Sequence, residues 1–142
     1  MRFIGPVIGL SGLIILAYAF WQFSLTLPKP VELAVSHDYK EAQSRAARES
    51  KPMLLIFTAS WCGPCRYLKK EVYPSADVQR IADRYIWVML DVDDHGNRSL
   101  HEKYEVHGIP NIVITDSNGR VKNRQVGSSS PAEFANFLRN NL

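Results

Sequence analysis

Cys62 and Cys65 are the two cysteines of this 142-residue chain, three positions apart within Trp61-Cys62-Gly63-Pro64-Cys65. An apolar run over 53–57 precedes them, and residues 66–71 read as helix. On a helix's first turn, cysteines at i and i+3 share a face and lie close enough to close a small disulfide ring. Cys62 then sits at the helix N-terminus, where unpaired N–H groups and the macrodipole stabilise a thiolate. Such a site lowers a thiol pKa from about 8.5 toward neutrality. Cys62 is therefore expected to be the exposed nucleophile, and Cys65, one turn deeper and more buried, the resolving thiol. Gly63 leaves room for a substrate backbone, and Pro64 costs little in a first turn whose N–H has no helical partner.

Two other uses of the pair fit less well. Structural zinc takes four ligands, but there is no second CxxC, and His37, His95, His101 and His107 are not placed as a zinc finger requires. An inert disulfide suits small, loop-rich secreted domains, whereas 46% of this chain is apolar, enough for a core. Redox chemistry is the expectation, with no metal and no cofactor.

Elements that position the pair are legible on both sides of it. Residues 53–58 read as a fully buried central strand, and 86–92 as another. Ser36 is expected to cap a helix running to about Glu49, with Tyr39, Ala42, Ala46 and Ala47 as its inner stripe. Ser75 or Asp77 opens a second helical stretch carrying Val78, Ile81, Ala82 and Tyr85. Asp91, Asp93 and Asp94 lack the glycine and glutamate spacing of a calcium loop and read as a polar turn. A short helix over 99–105 leads to Gly108-Ile109-Pro110. Residues 111–115 and 121–126 flank Ser117-Asn118-Gly119, a hairpin signal. Ser130 as N-cap and Pro131 at the first helical position open the last helix, with Phe134, Phe137 and Leu138 inward. Helices alternating with strands, then a hairpin, imply an α/β domain with a central mixed sheet flanked by helices.

At the start of the chain, residues 3–27 carry no charge and 3–23 is overwhelmingly apolar, long enough to cross a bilayer as a helix of about 20 residues. Tyr18 and Trp21 suit an interfacial belt. Residues 1–27 are thus expected to be a transmembrane anchor, 28–35 a linker stiffened by Pro28-Lys29-Pro30, and 36–142 the α/β domain. The rival is a cleaved signal peptide, because Ala17-Tyr18-Ala19 has the small-x-small form of a cleavage site. Apolarity continuing through Phe20, Trp21 and Phe23 favours the anchor. Arg2 and Lys29 on opposite sides leave the positive-inside bias weak. A dispersed net charge of +3 gives no reason to expect nucleic acid as a partner. Arg120, Lys122 and Arg124 alternate along a strand as a solvated edge. Trp61 is read as a shield over the dithiol and a wall of the substrate groove, Trp87 as core.

These motifs resemble the thioredoxin fold over about residues 36–142. The match is Trp61-Cys62-Gly63-Pro64-Cys65, then Val106-His107-Gly108-Ile109-Pro110 about 45 residues on, then strand, turn, strand, Gly127 and a final helix. The resemblance implies that Pro110 is cis and faces the disulfide, and that Ile109 offers backbone hydrogen bonds to a bound peptide. Lys51 through Phe57 and Glu71-Val72-Tyr73 resemble the membrane-anchored periplasmic branch, near the C-terminal domain of the disulfide reductase DsbD. From that likeness follows an inner-membrane, single-pass protein with its domain in the periplasm, acting as a monomer on protein or peptide disulfides. A thiol–disulfide electron donor at the membrane would keep it reduced.

Two positions depart from thioredoxin itself. The buried aspartate six residues before the first cysteine corresponds to Ile56, and the lysine accompanying it to Met89. A buried charged pair can be replaced by apolar groups without loss of stability, so the fold survives. The general base for Cys65 is then open between Glu71, His107 and solvent. The reaction class is thiol–disulfide exchange. Gly63-Pro64 resembles reductive thioredoxins, which favours a reductase; an oxidase or isomerase, or a non-catalytic binding or metal-handling factor, are the alternatives.

Overall fold

The computed structural model describes residues 8–26 and 33–142. The chain divides into two compact units, Met1–Pro30 and Val31–Leu142. The first holds helix α1, Ile8–Thr26, without a charged residue. Its 19 residues rise about 28 Å at 1.5 Å each, against a hydrocarbon core about 30 Å thick. Among the described residues, no helix is long and apolar enough to cross a membrane. The expected span begins before Ile8, outside the described residues, as does the stiffening Pro28-Lys29-Pro30.

The second unit is a five-stranded sheet in the order β1-β3-β2-β4-β5. Strands β1 (Val35–Ser36), β2 (Met53–Thr58) and β3 (Ile86–Asp91) run parallel, β4 (Asn111–Thr115) pairs antiparallel with β2, and β5 (Val121–Val126) pairs antiparallel with β4. Val35, in the stretch read as linker, pairs with Trp87. All six residues of β2 are buried, as a central strand covered on both faces requires. Alternation then sorts its side chains. Leu54 and Ile56 join Leu68, Val78, Phe134 and Leu138 on one face; Met53, Leu55 and Phe57 join Ala42, Ala46 and Tyr104 on the other.

Helices cover both faces. α2 (Tyr39–Glu49) is capped by Asp38, whose carboxylate accepts from the Lys40 and Glu41 amides. Ser36, expected as the cap, instead ends β1, and its Oγ bonds the Asp38 backbone. Asp38 prevails because its side chain reaches two orphan amides of the first turn. Ala42 and Ala46 are buried, but Ala47, expected on the inner stripe, is exposed. α3 (Gly63–Tyr67) runs on into a π-helical turn over Leu68–Val72. α4 (Ala76–Ala82) buries Val78, Ile81 and Ala82; Tyr85 is buried too, though it lies past the helix end. α5 (Arg98–Lys103) is shorter than expected, since the chain turns at Glu105 with φ +49°. α6 (Pro131–Arg139) opens with a capping box in which Ser130 and Glu133 satisfy each other's backbone N–H groups. At the hairpin, Gly119 has φ +82°, and a Cβ there would meet the Tyr39 hydroxyl at 2.7 Å. Glycine is required at that turn.

Candidate redox-active site

The chain leaves central strand β2 at its C-terminal end, and Ala59, Ser60 and Trp61 carry it into α3. Cys62 is the N-cap of that helix, with extended backbone, and its Sγ accepts from the Cys65 amide at 3.2 Å. The two sulfurs form a disulfide: S–S 2.05 Å, Cα–Cα 5.3 Å. An N–H aimed at Sγ from the first turn is the arrangement that favours a thiolate once the bond is reduced. Pro64 occupies the first turn, where its missing donor has no helical partner. The expected contrast in exposure is absent, because Cys62 is 4% and Cys65 2% exposed. Packing with Ala59, Val92 and Ile109 buries Cys62 as well as Cys65.

Ile109 and Pro110 arrive from the loop before β4, and the peptide bond between them is cis. The Pro110 carbonyl accepts from Gly127 N at 2.8 Å, which ties this loop to the segment after β5. Ile109 packs against the two cysteines, while Pro110 is buried. A Cβ built on Gly63 would meet nothing nearer than Arg66 Nη2 at 3.9 Å, so nothing in this chain needs glycine there.

Trp61 is 64% exposed, yet it is held: its Nε1 donates to Asp93 Oδ2 at 2.9 Å. The turn read only as polar therefore positions the tryptophan beside the dithiol. Asp91 and Asp94 shape that turn through the Asp93 and Gly96 amides. No local signal marks the Trp61–Asp93 pair, because 32 residues separate the partners. Val92, by sequence the end of a strand, also packs against the cysteine pair. Trp87 is core, 2% exposed, its indole N–H bonded to Ala82 O.

Ile56 is buried and stands in register with Met89 on β3, so both positions where the resemblance implies charged side chains hold apolar ones. Glu71 and His107 are both exposed, and neither has a hydrogen bond to either cysteine. Among the described residues, no three histidine, cysteine or acidic side chains converge as a metal site. Arg124 differs from the solvated edge expected of it. It donates to the carbonyls of Tyr104 and Glu105, closing the turn that ends α5.

A family model described as a thioredoxin-like domain matches residues 39–141. The chain belongs to the thioredoxin-like family. This thioredoxin-like protein is 32% identical to a thioredoxin of Acidithiobacillus ferridurans over 110 residues, covering 78% of this chain and 95% of that one. It is 28% identical over 100 residues to the thiol:disulfide interchange protein DsbD of Colwellia psychrerythraea, covering 67% of this chain but 16% of that much longer protein. In fold it is similar to the oxidised C-terminal domain of Neisseria meningitidis DsbD, with a TM-score of 0.66 at 24% identity, covering 77% of this chain and all of that one. A thioredoxin from Thermus thermophilus gives 0.69 at 24% identity, over 78% of this chain and 87% of that one. Fold, disulfide and relatives agree on thiol–disulfide oxidoreductase chemistry at a CxxC pair.

Proposed function

We propose that this protein is a protein-disulfide reductase tethered to the inner membrane, with its domain in the periplasm. The observation that carries the redox part is the Cys62–Cys65 disulfide at the start of α3, packed against Ile109 of the cis-proline loop. The working form is the dithiol. The Cys62 thiolate attacks one sulfur of a substrate disulfide, forming a mixed disulfide and releasing the other substrate sulfur as a thiolate that takes up a proton. Cys65 then loses its proton and attacks Cys62 Sγ. The second substrate sulfur leaves, and the Cys62–Cys65 disulfide forms. Two electrons pass to the substrate, and a thiol donor at the membrane returns two to the protein. Trp61, Gly63, Pro64, Ile109 and Pro110 form the surface over which the substrate chain lies.

The Gly63-Pro64 dipeptide supports the reductive direction, and likeness to DsbD supports the compartment. The charge-free stretch 3–27, long enough in sequence to cross a bilayer, supports the tether. Insulin reduction by the dithiol form tests the activity, and no precipitation of the insulin B chain would exclude it. Equilibration with glutathione tests direction: the expected potential is more reducing than that of glutathione, and a strongly oxidising value would make the protein an oxidase. Mass spectrometry of the mature protein tests the tether. An amino terminus at Phe20 would remove it.

A further inference from the structure

A guanidinium lies against the open face of the CxxC turn. Arg66 Nη1 donates to the Ser60 carbonyl at 3.1 Å, which bridges the two sides of the loop carrying Trp61 and Cys62. Its Nη2 is the nearest heavy atom, at 3.9 Å, to the point where a Cβ on Gly63 would stand. The residue itself is exposed. One donor is spent on Ser60, and the rest of the fork remains to be offered over Gly63. Lys69 and Lys70, three and four positions on, are also exposed. No ion pair joins any of the three to a carboxylate among the described residues. The Asp93 carboxylate accepts from Trp61.

We infer that Arg66 is a specificity-determining residue, which binds a carboxylate on the substrate segment lying across Gly63. The inference rests on the reductase reading above and names the substrate class: disulfides with aspartate or glutamate beside the attacked cysteine. A guanidinium suits this role because its planar fork matches a carboxylate and keeps its charge at any working pH. Anchoring by Ser60 lowers the ordering cost that an unheld lysine such as Lys70 bears on binding.

The test uses three short peptides with one disulfide each, identical except for Glu, Gln or Lys beside the attacked cysteine. They are reduced by the dithiol form of the full chain at low ionic strength. The Glu peptide is expected to react with a second-order rate constant roughly three- to tenfold above the Gln peptide, and the Lys peptide to be slowest, with the spread shrinking as salt screens the charge. Arg66→Gln should bring the three rates together, so that the Glu-to-Gln and Gln-to-Lys rate ratios fall to about one. Arg66→Lys should keep part of the order, Arg66→Glu should reverse it, and Lys70→Gln should leave it intact. Equal rates for all three peptides with the unaltered protein would overturn the inference. So would an equal loss on all three in Arg66→Gln, which would mark a structural role or an effect on the thiol alone. No reduction of any peptide would overturn the reductase reading, and this inference with it.

Discussion

With Cys62 at 4% and Cys65 at 2% exposure, burial does not separate the two sulfurs; position on the helix does. Cys62 is the N-cap that receives an amide from the first turn, and in the proposed mechanism this contact stabilises its thiolate and makes it the first to attack. Cys62→Ser is expected to abolish exchange. Cys65→Ser should accumulate a mixed disulfide with the substrate, visible on a non-reducing gel, because the second attack is gone. Faster alkylation of Cys65 than of Cys62 by iodoacetamide near neutral pH would reverse the assignment. The proton on Cys65 raises a separate point. Ile56, 1% exposed and paired with Met89, offers no base within the sheet. Ile56→Asp would put a carboxyl group there at a cost of about 2–4 kcal/mol if it stays unpaired, and burial would raise its pKa. The variant should be less stable yet resolve a preformed mixed disulfide faster, most clearly at alkaline pH where the acid ionises. A stopped-flow rate unchanged from about pH 6 to 9, a range around thiol pKa values, would show that solvent or another residue already serves as base.

Among the elements, Tyr85 joins the start of β3 to the end of α6: its hydroxyl donates to the Leu138 carbonyl at 2.6 Å. Burial pushes this phenol up to about 12 from its ordinary 10, opposed in part by the charge of Arg84. Because the folded pKa is the higher one, its contribution is complete below about 10, the unfolded value. It is lost as pH rises through about 12. Tyr73 and Tyr104 are shifted the same way by burial. Alkaline titration should therefore show tyrosinate absorbance rising together with the loss of far-UV dichroism. Tyr85→Phe, lacking the ionising hydroxyl, should retain its dichroism to higher pH relative to its own neutral-pH stability. At this scale most of the architecture was legible. Uninterrupted apolar character marked β2, Asn118-Gly119 marked the hairpin, and Ser130-Pro131 with Glu133 marked the start of α6. The π-helical turn over Leu68–Val72 was not, because its sequence is that of an ordinary helix and the change is one of hydrogen-bond register. The cap on α2 was missed by two residues, since Ser36 and Asp38 are both good N-caps and pairing of Val35-Ser36 with β3 decides between them. The site followed the same rule. Cys62, Cys65, Gly63 and Pro64 announce themselves by spacing, whereas Asp93 beneath Trp61 and Arg66 over Gly63 depend on how distant or neighbouring loops fold.

For the molecule as a whole, Val31–Leu142 is a compact unit with its own core on both faces of the sheet. Residues 31–142 produced alone should therefore fold cooperatively and reduce insulin at the rate of the full chain in detergent. A truncated form that melts well below the full chain, or has lost the activity, would show that the first 30 residues do more than tether. The placement of the tryptophans has an optical consequence. Trp61 precedes the reactive sulfur and is 64% exposed, whereas Trp87 is 2% exposed in the core. Water should shift Trp61 emission to longer wavelength, and Trp87 should emit at shorter wavelength until the sheet opens. Substituting Trp21, in α1, would leave two separable reporters in one chain, one following turnover at the dithiol and the other following unfolding. Red-edge intensity should then change when Cys62–Cys65 is reduced, while the blue component stays constant until denaturant melts the core.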